Sequence, residues 1–245
     1  MDKSFIKTSM SQLNITLSDE QIDMFNTYYE LLVDWNSRMN LTAITEYEDV
    51  IIKHFVDSLS IVKYLDTINV SSDKYDTYSP TIIDIGTGAG FPGIPIKILL
   101  PSSKVVLVDS LNKRINFLNE VIKVLDLKDI TAIHSRAEDF GHGVYREKGD
   151  YVVSRAVANI STLSEYCLPL VKTGGVFISY KSEKLDEELS MYPNAINTLG
   201  GKIKNNISFT IGEDISRNLL VVEKVNSTKG KYPRKSGLPS KEPLH

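Results

Sequence analysis

A chain of 245 residues, 42% hydrophobic and 24% charged, can bury roughly three-quarters of the surface its unfolded form exposes, which excludes a disordered chain; 14 glycines and 9 prolines exclude a collagen-like one. No apolar run approaches the ~20 residues of a membrane span and Met1-Asp2-Lys3-Ser4 opens no signal peptide, so a cytoplasmic protein that meets no membrane is expected. The single cysteine, Cys167, excludes an internal disulfide and a cysteine metal cluster, and the net charge of −3 hides a basic end in which six cations from Lys224 onward face one acid, Glu242.

Ser18-Asp19-Glu20-Gln21 has the form of a capping box. Ile22, Phe25, Tyr29 and Leu32 follow at helical spacing and predict a helix over about 19–37. Ile51, Phe55, Leu59 and Val62 predict a second over 46–65, with His54 and Asp57 one turn apart on a neighbouring face. Residues 1–66 therefore read as an N-terminal helical subdomain, and the polar stretch 67–80, including Ser71-Ser72-Asp73, as a linker. From 81 to 226 short apolar runs alternate with helical stretches, the α/β pattern. Strands are expected at 81–85, 104–109, 130–134, 151–154 and 176–180, with helices at 93–100, 112–125, 160–171 and 184–199. The near-continuous apolar runs fit parallel strands covered on both faces. The last two strands, 203–211 and 218–224, lack room for a crossover helix and should pair antiparallel. Residues 227–245, with Pro233, Pro239 and Pro243, read as an extended basic tail suited to phosphates or to solubility.

Asp84-Ile85-Gly86-Thr87-Gly88-Ala89-Gly90-Phe91-Pro92-Gly93 follows the first strand directly and points to a nucleotide-type ligand, because glycines let it approach the backbone. Residues 88–93 match the dinucleotide pattern G-x-G-x-x-G, yet the glycine next to the strand is Gly86, whose own frame ends one residue early. Asp84 would oppose a pyrophosphate, whereas the cationic methionine end of S-adenosylmethionine is compatible with it. Asp109 closes the second strand nineteen residues past Gly90, where a carboxylate can accept ribose hydroxyls. Ala137-Glu138, past the third strand, is suited to an adenine edge or to a plain helix start, and Gly174-Gly175 reads as a turn before the fifth strand.

Together with Asn40-Leu41-Thr42, His54-x-x-Asp57-Ser58, Val108-Asp109-Ser110, Arg136-Ala137-Glu138, Ser154-Arg155-Ala156 and Lys231-Tyr232-Pro233-Arg234-Lys235-Ser236-Gly237-Leu238-Pro239, the glycine segment resembles the bacterial small-subunit ribosomal RNA methyltransferase G family, formerly glucose-inhibited division protein B. The resemblance implies a Rossmann-like class I methyltransferase sheet, parallel except for a final antiparallel strand, with an N-terminal helical extension. It implies methyl transfer from S-adenosylmethionine to N7 of guanine 527 in 16S ribosomal RNA, free or in the small ribosomal subunit. It also implies that Gly86, Phe91, Ala137, Glu138 and Arg155 contact the cofactor, which the loop argument extends to Gly88, Gly90 and Asp109.

Guanine N7 carries an in-plane lone pair and no proton, so its attack on a sulfonium methyl needs no general base and positioning dominates. His54 and Arg155 are the positioning candidates, with a core role beside Asp57 equally open to His54. Lys53, Arg136, Lys181, Arg217, Arg234 and Lys235 are candidate RNA contacts, each also readable as a solvated surface charge. A monomer without metal is expected. A small-molecule methyltransferase, a nicotinamide enzyme and a non-enzymatic RNA-binding protein remain as alternatives at this point.

Overall fold

The computed structural model describes residues 3–70, 72–155, 158–212 and 214–245; Met1-Asp2, Ser71 of the expected linker and Ala156 of the Ser154-Arg155-Ala156 motif lie outside the described residues. Helix α1 (Lys3–Ser11) buries Ile6 and Met10, an i, i+4 stripe too short to stand out in the sequence. Helix α2 (Asp19–Asn36) opens with the expected capping box: the Ser18 hydroxyl accepts from the Gln21 N–H at 3.2 Å, and the Gln21 side-chain oxygen accepts from the Ser18 N–H at 3.0 Å. Its fully buried stripe is Ile22, Phe25, Tyr28 and Leu32, with Tyr28 rather than Tyr29 inside.

The helix expected over 46–65 keeps its buried face but not its backbone. It runs as α3 (Tyr47–Val50), a π-helical segment (Ile51–Val56), α4 (Asp57–Leu59) and α5 (Val62–Thr67), with Ile51, Phe55, Leu59 and Val62 all fully buried. Hydrophobic spacing sees the face; it does not see a locally widened turn.

The remaining elements are β1 (Thr81–Ile85), α6 (Gly93–Leu99), β2 (Lys104–Asp109), α7 (Asn112–Val124), β3 (Ile130–His134), α8 (Ala137–Phe140), β4 (Gly149–Ser154), α9 (Ile160–Cys167), β5 (Val171–Lys181), α10 (Leu185–Met191), α11 (Ala195–Thr198), β6 (Gly201–Ile211), β7 (Ile215–Lys224) and α12 (Leu238–Lys241). The seven strands form one sheet in the order β3-β2-β1-β4-β5-β7-β6. Strands β1 to β5 are parallel and β7 lies antiparallel between β5 and β6. Proline shortens two expected helices: Pro169 sits in a 3₁₀ turn after α9, and Pro193 separates α10 from α11, because it lacks an N–H and restricts the residue before it. Gly174-Gly175 is not a turn ahead of β5. It lies inside that strand, where pairing jumps from Gly149↔Val171 to Tyr151↔Val176 and the intervening residues bulge.

Alternate strand residues enter opposite faces of the sheet. Ile82, Val105 and Leu107 pack with the N-terminal helices, α6 and α7, while Ile83, Ile85, Val106 and Val108 pack with α9, α11 and Tyr232. Both faces are covered, hence the unbroken apolar runs.

The C-terminal segment does not extend into solvent. Tyr232 and Pro239 are buried, Lys224 is fully buried with its ammonium on the Leu168 and Val171 carbonyls and the Thr228 hydroxyl, and Arg234 pairs with buried Glu165 at 2.7 Å. Two of its cations, Lys224 and Arg234, meet carbonyls and a carboxylate of the same chain, which composition does not reveal, while Lys229, Lys231, Lys235 and Lys241 stay exposed. Among the described residues no helix is long and apolar enough to cross a membrane, and no group of His, Cys, Asp or Glu could hold a metal ion.

Candidate active site

The carboxyl ends of β1, β2, β4 and β5 deliver Gly86, Asp109, Arg155 and Lys181 to one edge of the sheet, where the strand order reverses between β1 and β4. Two clefts open there. The first, about 420 Å³, is lined by Gly86, Asp109, Arg114, Arg136, Ala137, Glu138, Tyr166 and, from the far end of the chain, Gly237 and Ser240. The second, about 710 Å³, is lined by Lys53, His54, Asp57, Arg155, Lys181, Lys184, Glu188 and Arg217.

The glycines of the loop divide by purpose. A Cβ on Gly90 (φ +96°) would lie 2.6 Å from both the Tyr28 hydroxyl and Ile94 Cδ1, so this position is glycine because helix α2 presses on it. Gly88 (φ +61°) has nothing within 4 Å of a Cβ, and its N–H donates to Asp109 Oδ2 at 2.9 Å. That is the open face of the loop. Asp84, fully buried, accepts from the Thr87 hydroxyl at 2.7 Å and the Gly93 N–H at 2.8 Å on Oδ2. Its Oδ1 has no hydrogen-bond partner among the described residues, and burial pushes its carboxyl up to about 7 despite those bonds and the Arg155 charge. Asp109, also buried, takes the Leu111 N–H on Oδ1 at 2.9 Å and Arg114 Nη1 on Oδ2 at 3.1 Å.

Glu138 is buried and uses one oxygen, Oε1, for the Tyr166 hydroxyl at 3.2 Å and the Gly237 N–H at 2.8 Å. Phe91 is 5% exposed and its ring packs on His54 (centroids 4.5 Å apart, 20° between planes) and under the Arg155 guanidinium at 4.9 Å. The ring is therefore packed behind His54 and Arg155 of the second cleft and lines neither cleft itself.

The π-helical segment turns His54 and two carbonyls toward Arg155. Arg155 Nη1 donates to Asp57 Oδ2 at 3.0 Å and to the Lys53 and His54 carbonyls at 3.2 and 3.4 Å, while Nη2 donates to His54 Nδ1 at 3.2 Å. A guanidinium only donates, so Nδ1 is the acceptor and the proton of neutral His54 sits on Nε2, which gives it to the Thr42 hydroxyl at 2.8 Å. Burial, reinforced by the Arg155 charge, pushes His54 down to about 3, against the weaker opposing pull of the Lys53 backbone carbonyl as an acceptor. Asp57 completes the group: its other oxygen accepts Arg217 Nε at 3.0 Å, so one buried carboxylate spaces two arginines.

The six expected RNA contacts separate. Lys53 pairs with Asp49 at 2.8 Å on the surface, Arg136 is exposed at the first cleft, Arg217 is held by Asp57, and Lys235 is exposed. Lys181 is 7% exposed, bound to Glu188 at 2.7 Å and to the Ala158 carbonyl at 2.8 Å. Arg234, expected at a phosphate, is held instead by Glu165. Tyr28, Asp57 as a two-arginine hub, Arg114 and the Glu165–Arg234 pair escaped the sequence reading; only Asp57 had a signal, its place one turn from His54.

A family model for rRNA small subunit methyltransferase G (GidB) matches residues 21–220. The chain is 51% identical over 245 residues to a Ribosomal RNA small subunit methyltransferase G of Lachnoclostridium phytofermentans, covering 99% of this chain and 98% of that protein. It is 48% identical to one of Staphylococcus aureus, covering 100% and 99%. In fold it is similar to a mutant of MtNAS (TM-score 0.56, 14% identity, 92% of this chain and 83% of that one) and to a candidate RNA methyltransferase of Pyrococcus horikoshii (TM-score 0.51, 12% identity, 69% and 84%). With the glycine loop and Asp109 gathered beside a cleft at the switch point of the sheet, this chain belongs to the rRNA small subunit methyltransferase G family and is an S-adenosylmethionine-dependent methyltransferase.

Proposed function

We propose that this enzyme methylates N7 of guanine 527 in 16S ribosomal RNA, by in-line attack of the unprotonated N7 without a general base. The observation that carries this reading is His54: both ring nitrogens are engaged, by Arg155 and Thr42, and the ring stays neutral down to about pH 3. The neighbouring acids are engaged too, Asp57 by two arginines and Glu188 by Lys181. A cleft whose imidazole and carboxylates are all engaged suits a nucleophile that has no proton to lose.

The first cleft fits the cofactor on three counts. Its volume lies within the roughly 300–1,000 Å³ of small-molecule sites. Gly88, bonded to the Asp109 that borders the cleft, has open space where a Cβ would stand, and Asp84 Oδ1, buried behind the loop, is an acceptor without a partner among the described residues that suits a cationic ligand. When bound, S-adenosylmethionine supplies a methyl made electrophilic by its sulfonium. Gly86, Gly88, Gly90 and Phe91 would offer backbone to it, Asp109 would accept its ribose hydroxyls, and Ala137 and Glu138 would border its adenine. Arg155 lines the second cleft. It holds His54 by hydrogen bond and Phe91 by its charge over the ring, and so shapes the pocket for a guanine pulled out of its stack.

Lys53, Arg136, Arg217 and Lys235 face flanking phosphates, while Lys181 and Arg234 act through the geometry they hold. The test is incubation with methyl-labelled S-adenosylmethionine and cellular RNA, followed by mapping of the labelled nucleotide. Label on guanine N7 at position 527 is the expected result; label on a nitrogen that must first lose a proton overturns the base-free reading.

A further inference from the structure

The cleft bordered by Asp109 and Glu138 has a wall from the end of the chain, formed by Gly237 and Ser240. Gly237 stands at φ +80° at the start of α12, and its N–H donates to Glu138. The wall is fastened on both sides. Glu165, fully buried in α9, accepts from the Arg234 backbone N–H at 2.7 Å, from Nε at 2.9 and 3.1 Å and from Nη2 at 2.7 Å. The Thr162 hydroxyl donates to the Pro239 carbonyl at 3.0 Å and the Ser161 hydroxyl to the Leu244 carbonyl at 2.8 Å. Ahead of it, Arg146 donates to the Tyr232 and Thr228 carbonyls, both at 2.8 Å. A buried ion pair adds little net stability, so what Glu165 and Arg234 supply is placement.

We propose that Gly237 and Ser240 close the cofactor site against the nucleoside end of S-adenosylmethionine, with Glu165 and Arg234 as the positioning residues that hold this wall; the proposal rests on the cofactor occupying the first cleft. Such a wall makes the C-terminal segment part of the cofactor site, with its exposed Lys235 left to the RNA side. It also explains why Glu138 spends its carboxylate on a backbone N–H 99 residues away.

Calorimetric titration of the full chain with S-adenosylmethionine and with adenosine tests it. Ser240 is exposed, so Ser240→Trp is expected to leave the melting temperature of the free protein unchanged. It should weaken both ligands about tenfold or more, as a bulky ring intrudes on the cleft. Asp109→Ala serves as the control for the cleft itself. Wild-type affinities in Ser240→Trp beside a weakened Asp109→Ala overturn the wall. Wild-type affinities in both variants overturn the reading of the cleft on which it rests. A loss confined to S-adenosylmethionine overturns its placement at the nucleoside end. A chain ending at Ser236, melted in parallel, is expected to lose both ligands; if folded and of full affinity, it overturns the proposal, and if it does not fold, Ser240→Trp alone decides.

Discussion

His54 is a histidine withdrawn from acid–base chemistry by its neighbours. Burial and the Arg155 charge hold it neutral, so single-turnover methylation should show no step in rate near the ordinary histidine value of 6.5. His54→Ala should lower the rate at all pH values alike, through the lost acceptor for Arg155 and the lost ring over Phe91; a rate that follows a basic group near neutrality in the wild type and not in the variant would sink this account. Asp84 moves the opposite way. Between its ordinary 3.8 and about 7 the folded chain holds a proton that the unfolded chain has released, so Asp84 favours folding below 4 and opposes it increasingly as pH rises to 7. A cationic ligand reverses the preference. With Arg155 and Asp109 as the charges facing it, Asp84 should release a proton when S-adenosylmethionine binds, and affinity should rise from pH 6 to pH 8. Calorimetry in buffers of different ionisation heat measures that proton, and Asp84→Asn should abolish it.

The glycine loop is a composite element, part fold and part site. Gly90 is dictated by Tyr28, whose hydroxyl donates to the Ala89 carbonyl and whose ring stacks on Phe55 at 5.3 Å, so helix α2 and the loop form one packed unit. Gly90→Ala should therefore cost stability, about 1–3 kcal/mol from overpacking and backbone strain, read as a lower denaturation midpoint. Gly88→Leu should cost only the left-handed backbone, on the order of 1–2 kcal/mol, yet weaken S-adenosylmethionine much more than Gly90→Ala does. Equal losses of ligand in the two variants would show that the loop does not divide as described. The π-helical segment is the second composite element, because it presents the Lys53 and His54 carbonyls to Arg155 while keeping Ile51 and Phe55 inside. On the RNA side, Arg217→Ala should reduce the slope of log affinity against log salt by about 0.7–0.9 and leave cofactor binding intact. An unchanged slope would remove Arg217 from the phosphate contacts.

Across the whole molecule the C-terminal segment joins elements far apart in sequence. It buries Tyr232 and Pro239, supplies Arg234 to Glu165 and, through Thr228, caps buried Lys224. Ending the chain after Val225 strips Glu165 of Arg234 and uncovers the apolar surface packed by Tyr232 and Pro239, a loss of about 3–5 kcal/mol. In a chain of this size that lowers the melting temperature by on the order of 10 °C. Differential scanning calorimetry measures it, and a truncated chain that melts with the wild type would mean that the segment only rests on the fold.

Local chemistry was legible in the sequence wherever residues near in the chain act together. The Ser18 cap, the two-face burial of β1 and β2, the glycine loop after β1 and Asp109 at the end of β2 all depend on spacing within one element or one turn. The family resemblance rested on such short segments, and the matches to the family confirm it. Tertiary structure alone decided the rest. That Tyr28 requires Gly90, that Asp57 spaces Arg155 and Arg217, and that Glu165 receives Arg234 are pairings across 62, 98, 160 and 69 residues. Charge counts predicted a free basic tail because composition sums charges without their partners. Only folding shows which cations meet a carboxylate, and burying the Glu165–Arg234 pair at long separation helps to hold the end of the chain as a wall of the cleft.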